Sequence, residues 1–303
     1  MLSRYRPFTE QYAIYPIVPI QNIRKIDYLN KSVFRNCDIF VHQAIRDNNR
    51  YGKEYASSQL IAKLKKGCRV IAIPNIYHLP MCFFPQYKEE KQLRWKAETY
   101  FFRDSIIDNG LRQGVSFKKI DQIYHFQDAL SETGFNFHEE FLHFIDEVRM
   151  REKDWDIPVS DFIIQNYRNH QLFYDPNHPT EFFLKYVASE LTSILCNREC
   201  GEGEETIDDI NVRALDTYEM PVMEAVKEQG KLLYKNSVIR NTGKKVVCKK
   251  MDVREYIVQY TSLIWTSHDY KRVLRIKSFI LWVLLQIRDI FSLFGSAVNK
   301  CRK

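Results

Sequence analysis

The stretch Leu172-Phe173-Tyr174-Asp175-Pro176-Asn177-His178-Pro179-Thr180 sets one imidazole between two prolines, just ahead of an apolar helical pattern. Proline removes a soft dihedral, so His178 is held by its surroundings and not by its own side chain alone. Asp175 lies three residues earlier, close enough to orient the ring if the turn folds back. A held histidine with a nearby carboxylate is the base half of a nucleophilic triad. The same two residues also suit a plain turn followed by a helix cap. A second polar group follows the apolar run Asp38-Ile39-Phe40-Val41-His42. It comprises Gln43, Arg46, Arg50 and Tyr51, with Asn75 after the run Val70-Ile71-Ala72-Ile73-Pro74. Polar side chains at the carboxyl ends of parallel strands are where α/β sheets bind ligands. Guanidinium groups such as those of Arg46 and Arg50 match phosphate or carboxylate, although a solvated loop has the same composition.

Other chemistries lack their residues. His138 and His143 are five apart in His138-Glu139-Glu140-Phe141-Leu142-His143, about 500° around a helix. A shared zinc needs i and i+4, so this is an amphipathic helix and no metal is expected. Cys196 and Cys200 have no second ligand pair. Cys37, Cys68 and Cys82 read as small buried hydrophobes. Neither G-x-G-x-x-G nor G-x-x-x-x-G-K-[ST] occurs, and there is no G-x-S-x-G elbow. Rossmann dehydrogenases, P-loop enzymes and ordinary serine hydrolases are therefore disfavoured.

The elements that must position these groups read as follows. Tyr12 to Val18 is a short strand broken by Pro16, and Asp38 to Gln43 is a stronger one. Tyr55 to Lys66 is an amphipathic helix, and Arg69 to Pro74 is a buried strand. Strand, helix and strand within about 35 residues make a βαβ unit with a parallel pair. Lys91 to Glu152 turns helical. Thr180 to Cys196, Glu219 to Gln229, Asp252 to His268 and Tyr270 to Phe294 are further helices, and 197–209 is an exposed acidic loop. The expected fold is α/β: a small, mainly parallel sheet with many surrounding helices, Rossmann-like and three-layered, with a helix-rich C-terminal half.

The chain has 303 residues, a net charge of +7 and seven cysteines at irregular spacing. An odd, scattered set of thiols is expected to be reduced and cytosolic. Residues 271–303 hold eight basic residues against Asp289, so the rest of the chain is formally neutral. No basic face or nucleic-acid module is evident. No secretory signal is expected, because Glu10, Gln11 and Pro16 interrupt any apolar run near the start. Ser278 to Ile287 is uncharged over only half the ~20 residues that a spanning helix needs. Extending the run would bury Arg288 and Asp289. The tail therefore reads either as a helix on an anionic membrane surface or as one packed on protein. The expected division is an α/β body over 1–268 and a basic tail over 269–303, with the protein peripheral at the inner face of the cell membrane.

Three segments in this order resemble the WcbI family of polysaccharide-biosynthesis acyltransferases. They are Asp38-Ile39-Phe40-Val41-His42-Gln43-Ala44-Ile45-Arg46-Asp47, then Val70-Ile71-Ala72-Ile73-Pro74-Asn75-Ile76-Tyr77, then Phe173-Tyr174-Asp175-Pro176-Asn177-His178-Pro179-Thr180. The resemblance covers roughly residues 1–265. It implies the α/β fold, coenzyme A or acetyl-coenzyme A as acyl donor, and capsular or other surface sugars as acceptor. It also implies that a cysteine takes or relays the acyl group, that His178 removes the proton and that Asp175 orients His178. Gln43, Arg46 and Asn75 would line the pocket, and Arg50 and Tyr51 would meet the coenzyme's phosphates and adenine.

The family pattern opens with a strand ending in Gly-Asn-Cys-Gln, which this chain lacks; Met1-Leu2-Ser3-Arg4-Tyr5 reads as part of the helix that would follow. Arg35-Asn36-Cys37-Asp38 echoes the motif but enters the next strand. Two expectations stand: a start placed too late for an active enzyme, or an inactive homologue serving as a membrane-associated scaffold or sugar-binding protein. An esterase built on Asp175 and His178 would need a serine in an elbow, and none is recognisable.

Overall fold

The computed structural model describes residues 3, 5–14, 31–47, 49, 52–77, 79–88, 103–196, 220–235, 239–241 and 249–266. The chain divides into two compact units, one of Met1–Leu79, Ile145–Asn166 and Pro179–Ala214, the other of Pro80–Phe144, Tyr167–His178 and Leu215–Lys303. Their elements in chain order are α1 (Arg6–Thr9), α2 (Lys31–Asn36), β1 (Ile39–Gln43), α3 (Ser57–Ile61), β2 (Arg69–Ile73), β3 (Tyr87–Lys88), β4 (Arg103–Asp104), α4 (Ser105–Arg112), α5 (Phe117–His125), α6 (Gln127–Ser131) and α7 (Phe137–Glu152). Then follow α8 (Ser160–Asn166), β5 (Phe173–Asp175), β6 (His178–Pro179), α9 (Glu181–Cys196), α10 (Glu224–Gly230), β7 (Ile239–Asn241), β8 (Lys249–Met251) and α11 (Val253–Thr266). The architecture is α/β, with a small parallel sheet among many helices.

The first unit is built on β1 and β2, which pair in parallel from Ile39↔Arg69 to Gln43↔Ile73. Both are rich in β-branched residues that fit a pleated surface. Pro74 ends β2, because it has no N–H to continue a ladder. Asp156 meets Ala72 twice: its N–H donates to the Ala72 carbonyl at 2.9 Å, and its Oδ2 accepts from the Ala72 N–H at 2.7 Å. The loop thereby satisfies backbone groups of β2 that β1 does not reach. Ile71, Ile157, Val159, Ile163, Phe183, Leu191 and Leu195 are buried in this unit. Glu152 caps α8: its Oε2 accepts from the N–H groups of Val159 and Ser160, each at 3.0 Å, and its Oε1 from the Ser160 hydroxyl at 2.6 Å. Burial alone would raise this carboxyl, but the hydrogen bonds outweigh it and hold the group below its ordinary value.

In the second unit Phe83 is ringed by Phe137, Phe141, Phe144 and Phe173, with centroids 5.6 to 6.2 Å away. Tilted and edge-on contacts at this spacing suit the ring quadrupoles. A polar knot lies elsewhere in the unit. Asp104 is fully buried and caps α4, its Oδ1 accepting from the Ile107 N–H at 2.9 Å. Its Oδ2 accepts from the hydroxyls of Tyr124 on α5 and Tyr256 on α11, the latter at 3.0 Å. The Asp104 N–H donates to the Tyr260 hydroxyl at 2.7 Å. One carboxylate thus ties three helices together.

Several sequence expectations shift. Tyr55 to Lys66 is a 3₁₀ turn at Lys53–Tyr55 followed by the short α3, because Lys65 N–H turns to donate to the Phe34 carbonyl at 3.2 Å. Residues 12–14 form no strand; the Tyr12 hydroxyl donates to the Leu195 carbonyl at 2.9 Å, which ties this segment to α9. Residues 15–18 of that expected strand lie outside the described residues. Helix α2 enters where no helix was expected, and α10 begins at Glu224, after Pro221. Cys82 is buried as expected, whereas Cys37 and Cys68 are only half-buried. The 197–209 loop and Tyr270 to Phe294 lie outside the described residues.

Burial pushes the Asp104 carboxyl up to about 7, against the hydrogen bonds that it accepts. Between pH 4 and 7 the folded state then holds a proton that the unfolded chain has released, so this group's contribution to stability falls as pH rises across that window. Denaturant titrations at pH 4.5, 5.5 and 6.5 should show the decline, with a slope of up to one proton, and Asp104→Asn should flatten it. An unchanged slope in the variant would contradict this assignment.

Candidate functional site

Strand β5 delivers Asp175. Its first residue, Phe173, is locked in the Phe83 cluster; its carbonyl accepts from Gln171 Nε2 at 3.0 Å, and the Tyr174 carbonyl accepts from the Met220 N–H at 2.8 Å. The strand therefore has little freedom where it ends. Asp175 is fully buried, and its carboxylate is satisfied on both oxygens. Oδ1 accepts from the N–H groups of Asn177 at 2.7 Å and His178 at 3.0 Å, an Asx turn that reverses the chain after Pro176. Oδ2 accepts from His178 Nδ1 at 2.7 Å. β6, containing His178, pairs back on β5. One carboxylate thus shapes the turn and orients the ring that the turn carries.

The imidazole is 46% exposed. With Nδ1–H given to Asp175, the lone pair sits on Nε2, which has no hydrogen-bond partner among the described residues. The hydrogen bond to Asp175, helped by that carboxylate's charge, holds His178 above its ordinary value of 6.5, while burial pulls the other way. Such a nitrogen can accept a proton from a hydroxyl or thiol.

The other candidate residues lie in the first unit, at the carboxyl ends of β1 and β2. Gln43 Nε2 donates to the Pro74 carbonyl at 3.1 Å, and Asn75 Nδ2 donates to the Ala44 carbonyl at 3.5 Å. Each amide reaches across to the other strand's exit, so the two side chains stitch the strand tips. Beyond them the chain is braced. Ile45 N–H donates to Ser57 Oγ at 2.8 Å, and Ser57 N–H returns to the Ile45 carbonyl at 3.0 Å. Asn49 Nδ2 donates to the carbonyls of Arg46 at 2.8 Å and Gly52 at 3.0 Å. On this braced turn Arg46 is exposed and makes no ion pair with the described residues. An unpaired guanidinium on a fixed loop is suited to an anion. Arg50 and Tyr51 lie outside the described residues, as does the segment 267–303.

Sequence reading missed Asn49 and Ser57, whose bracing depends on long-range carbonyl partners. It also missed Asp156, which no local pattern marks. Among the described residues no group of three or more His, Cys, Asp or Glu is placed to hold a metal ion, and no helix is long and apolar enough to cross a membrane.

Comparison with protein families matches residues 2–196 to the family described as polysaccharide biosynthesis enzyme WcbI. No curated protein matches the chain. A solved structure of WcbI, described as a polysaccharide biosynthesis enzyme and as the native protein without a disulfide bond between coenzyme A and one of its cysteines, is similar over 94% of this chain and 93% of its own. The TM-score is 0.69 and the identity 18%, a likeness of fold.

The Asp175–His178 bond has a direct readout. In a nuclear magnetic resonance titration of the imidazole, His178 should titrate above 6.5 in the native chain. Asp175→Asn should bring it down to or below that value. A variant ring that titrates no lower than the native one would show that the carboxylate does not govern it.

Proposed function

Because the chain belongs to the WcbI family of polysaccharide biosynthesis enzymes, we propose that it transfers an acyl group, acetyl in the simplest case, from coenzyme A to a hydroxyl of a capsular or other surface polysaccharide or its precursor. The observation that carries the reading is the exposed His178 ring held by the buried Asp175. In the proposed step the acceptor hydroxyl oxygen attacks the thioester carbonyl, and His178 Nε2 takes the hydroxyl proton. The carbon–sulfur bond breaks, the ester forms, and the coenzyme thiolate leaves and recovers the proton from the imidazolium. The atoms balance without a metal and without a cysteine nucleophile. Asp175 keeps the tautomer and stabilises the imidazolium. Arg46 supplies a cation for the coenzyme's phosphates from the strand-tip loop that Gln43 and Asn75 fix. Arg50 and Tyr51 are assigned to the same coenzyme. The coenzyme A in the description of the solved WcbI structure supports this choice of donor.

The proposed organisation is an α/β body over 1–268 with the basic tail 269–303 on an anionic membrane surface, which places the protein peripherally at the cytoplasmic face. A second reading is a scaffold or sugar-binding homologue without turnover, with the same fold and no acyl transfer.

Calorimetry of the full chain with coenzyme A should give saturable binding, weakened by Arg46→Ala by about tenfold, the value of one well-placed charged contact. Acetyl-coenzyme A should then release free thiol when a polysaccharide acceptor is added. Binding without release refutes turnover, and absence of binding refutes the acyl-transfer reading and leaves the second. For the tail, the native chain should pellet with anionic liposomes at low salt, and a chain lacking 271–303 should stay in the supernatant. Equal pelleting of the two removes the membrane assignment.

A further inference from the structure

The opposite edge of the parallel pair, where β1 and β2 begin, carries two thiols that the acyl-transfer reading does not use. Cys37 follows α2 directly and lies two residues before Ile39. Cys68 lies one residue before Arg69, which is the register partner of Ile39. The ladder extends one residue past the start of β1, because Arg69 N–H donates to the Asp38 carbonyl at 2.8 Å. Neighbouring strands lie about 4.8 Å apart, so residues offset by one position across them fall within the roughly 4.4–6.8 Å between Cα atoms that a disulfide spans. Burial, and then the neighbouring Cys37 thiol, raise Cys68, which makes the two sulfurs neighbours. Each is also held by its own strand: Cys37 Sγ donates to the Ile39 carbonyl at 3.1 Å, and Cys68 Sγ to the Arg69 carbonyl at 3.7 Å. Gly67, at φ +87°, makes the turn that brings Cys68 to this edge, a conformation that costs glycine little. Lys65, ion-paired with Asp38, places an ammonium beside both sulfurs. Both cysteines are half-buried, so reagent can reach them, whereas Cys82 is closed off in the second unit.

We propose that Cys37 and Cys68 are a reversible dithiol–disulfide site, oxidised by a low-molecular-weight disulfide, that covalently staples the first residues of β1 and β2. Cys37 gives up its proton and its sulfur attacks the small disulfide, forming a mixed disulfide and releasing one small thiolate, which takes up that proton. Cys68 then loses its proton and attacks the Cys37 sulfur, expelling the second thiolate and closing the protein disulfide. Two protein thiols and one small disulfide become one protein disulfide and two small thiols.

The order follows from the environment. Burial first, then the charge and hydrogen bond of Cys37, push the Cys68 thiol up to about 11, while Lys65 pulls it down. Cys68 therefore holds its proton, which makes it the resolving thiol. Once Cys37 is capped, its part in that rise is gone, while burial still raises Cys68 and Lys65 still lowers it.

The test uses the full reduced chain, incubated with oxidised glutathione, quenched by alkylation in denaturant and mapped by mass spectrometry. The expected result is a linked Cys37–Cys68 peptide that dithiothreitol removes, with Cys82 alkylated as a free thiol. In Cys68→Ser a glutathione adduct should instead accumulate on Cys37 at least tenfold above the native chain, because nothing resolves it. The proposal is overturned if the native chain gives no Cys37–Cys68 link, if the link joins either residue to Cys82, Cys196, Cys200, Cys248 or Cys301 instead, or if a stable adduct remains on Cys37 with Cys68 intact.

Discussion

Asp175 is the constraint on which the candidate chemistry depends. A carboxylate with no solvent exposure must be fully satisfied by the protein, since an unpaired charge at that depth costs several kcal/mol. Two backbone N–H groups and one ring N–H satisfy it, and all three belong to the two residues that follow Pro176. The turn cannot open without stranding the charge, and the ring cannot rotate without giving up its Nδ1 bond. The Phe83 cluster, the Gln171 amide and the Met220 N–H keep β5 in place, so the packing of one unit fixes the direction of a single nitrogen lone pair.

The first unit applies a different device to its own residues. Parallel strands end with their carbonyls and side chains unclaimed, and β1 and β2 fill that edge with side-chain amides. Gln43 and Asn75 each bond to a carbonyl of the opposite strand's exit, so the tips are held at a set separation before any ligand arrives. Asn49 and Ser57 extend the order into the loop that carries Arg46. Preorganisation of this kind lowers the entropy that binding must overcome. Sequence reading placed Gln43 and Asn75 at a ligand edge; the structure gives them a bracing role there, and Arg46 is an exposed cation on that loop.

The two strands were legible because apolar runs of five residues bounded by Asp38 and by Pro74 have few other readings. The parallel pairing followed from the short crossover between them. Local pattern was less informative where a distant partner decides the conformation. Leu60, Ile61 and Leu64 give a helical stripe, yet the helix stops at Ile61 because Lys65 bonds to Phe34. Tyr12 to Ile14 alternate like a strand, but Tyr12 is tied to α9 and the residues pair with nothing in a ladder. Asp175 and His178 were legible as a pair because three residues and a proline suffice for an Asx turn. The burial of that carboxylate was not legible, since it comes from elements far away in sequence. Asp104 had no local signal beyond a helix start, and its tyrosine partners are distant in the chain.

The central claim is that the nitrogen presented by His178 accepts the proton of the attacking hydroxyl. Its most direct test is the rate of acetyl transfer from acetyl-coenzyme A to polysaccharide, measured against pH for the native chain and for His178→Gln. The account predicts a native rate that rises with pH through a value above 6.5, as the imidazole loses its proton. It predicts a rate in the variant lower by roughly 100- to 10,000-fold and without that rise, the span expected for a lost general base. A variant that transfers acetyl as fast as the native chain, with the same pH profile, would contradict it.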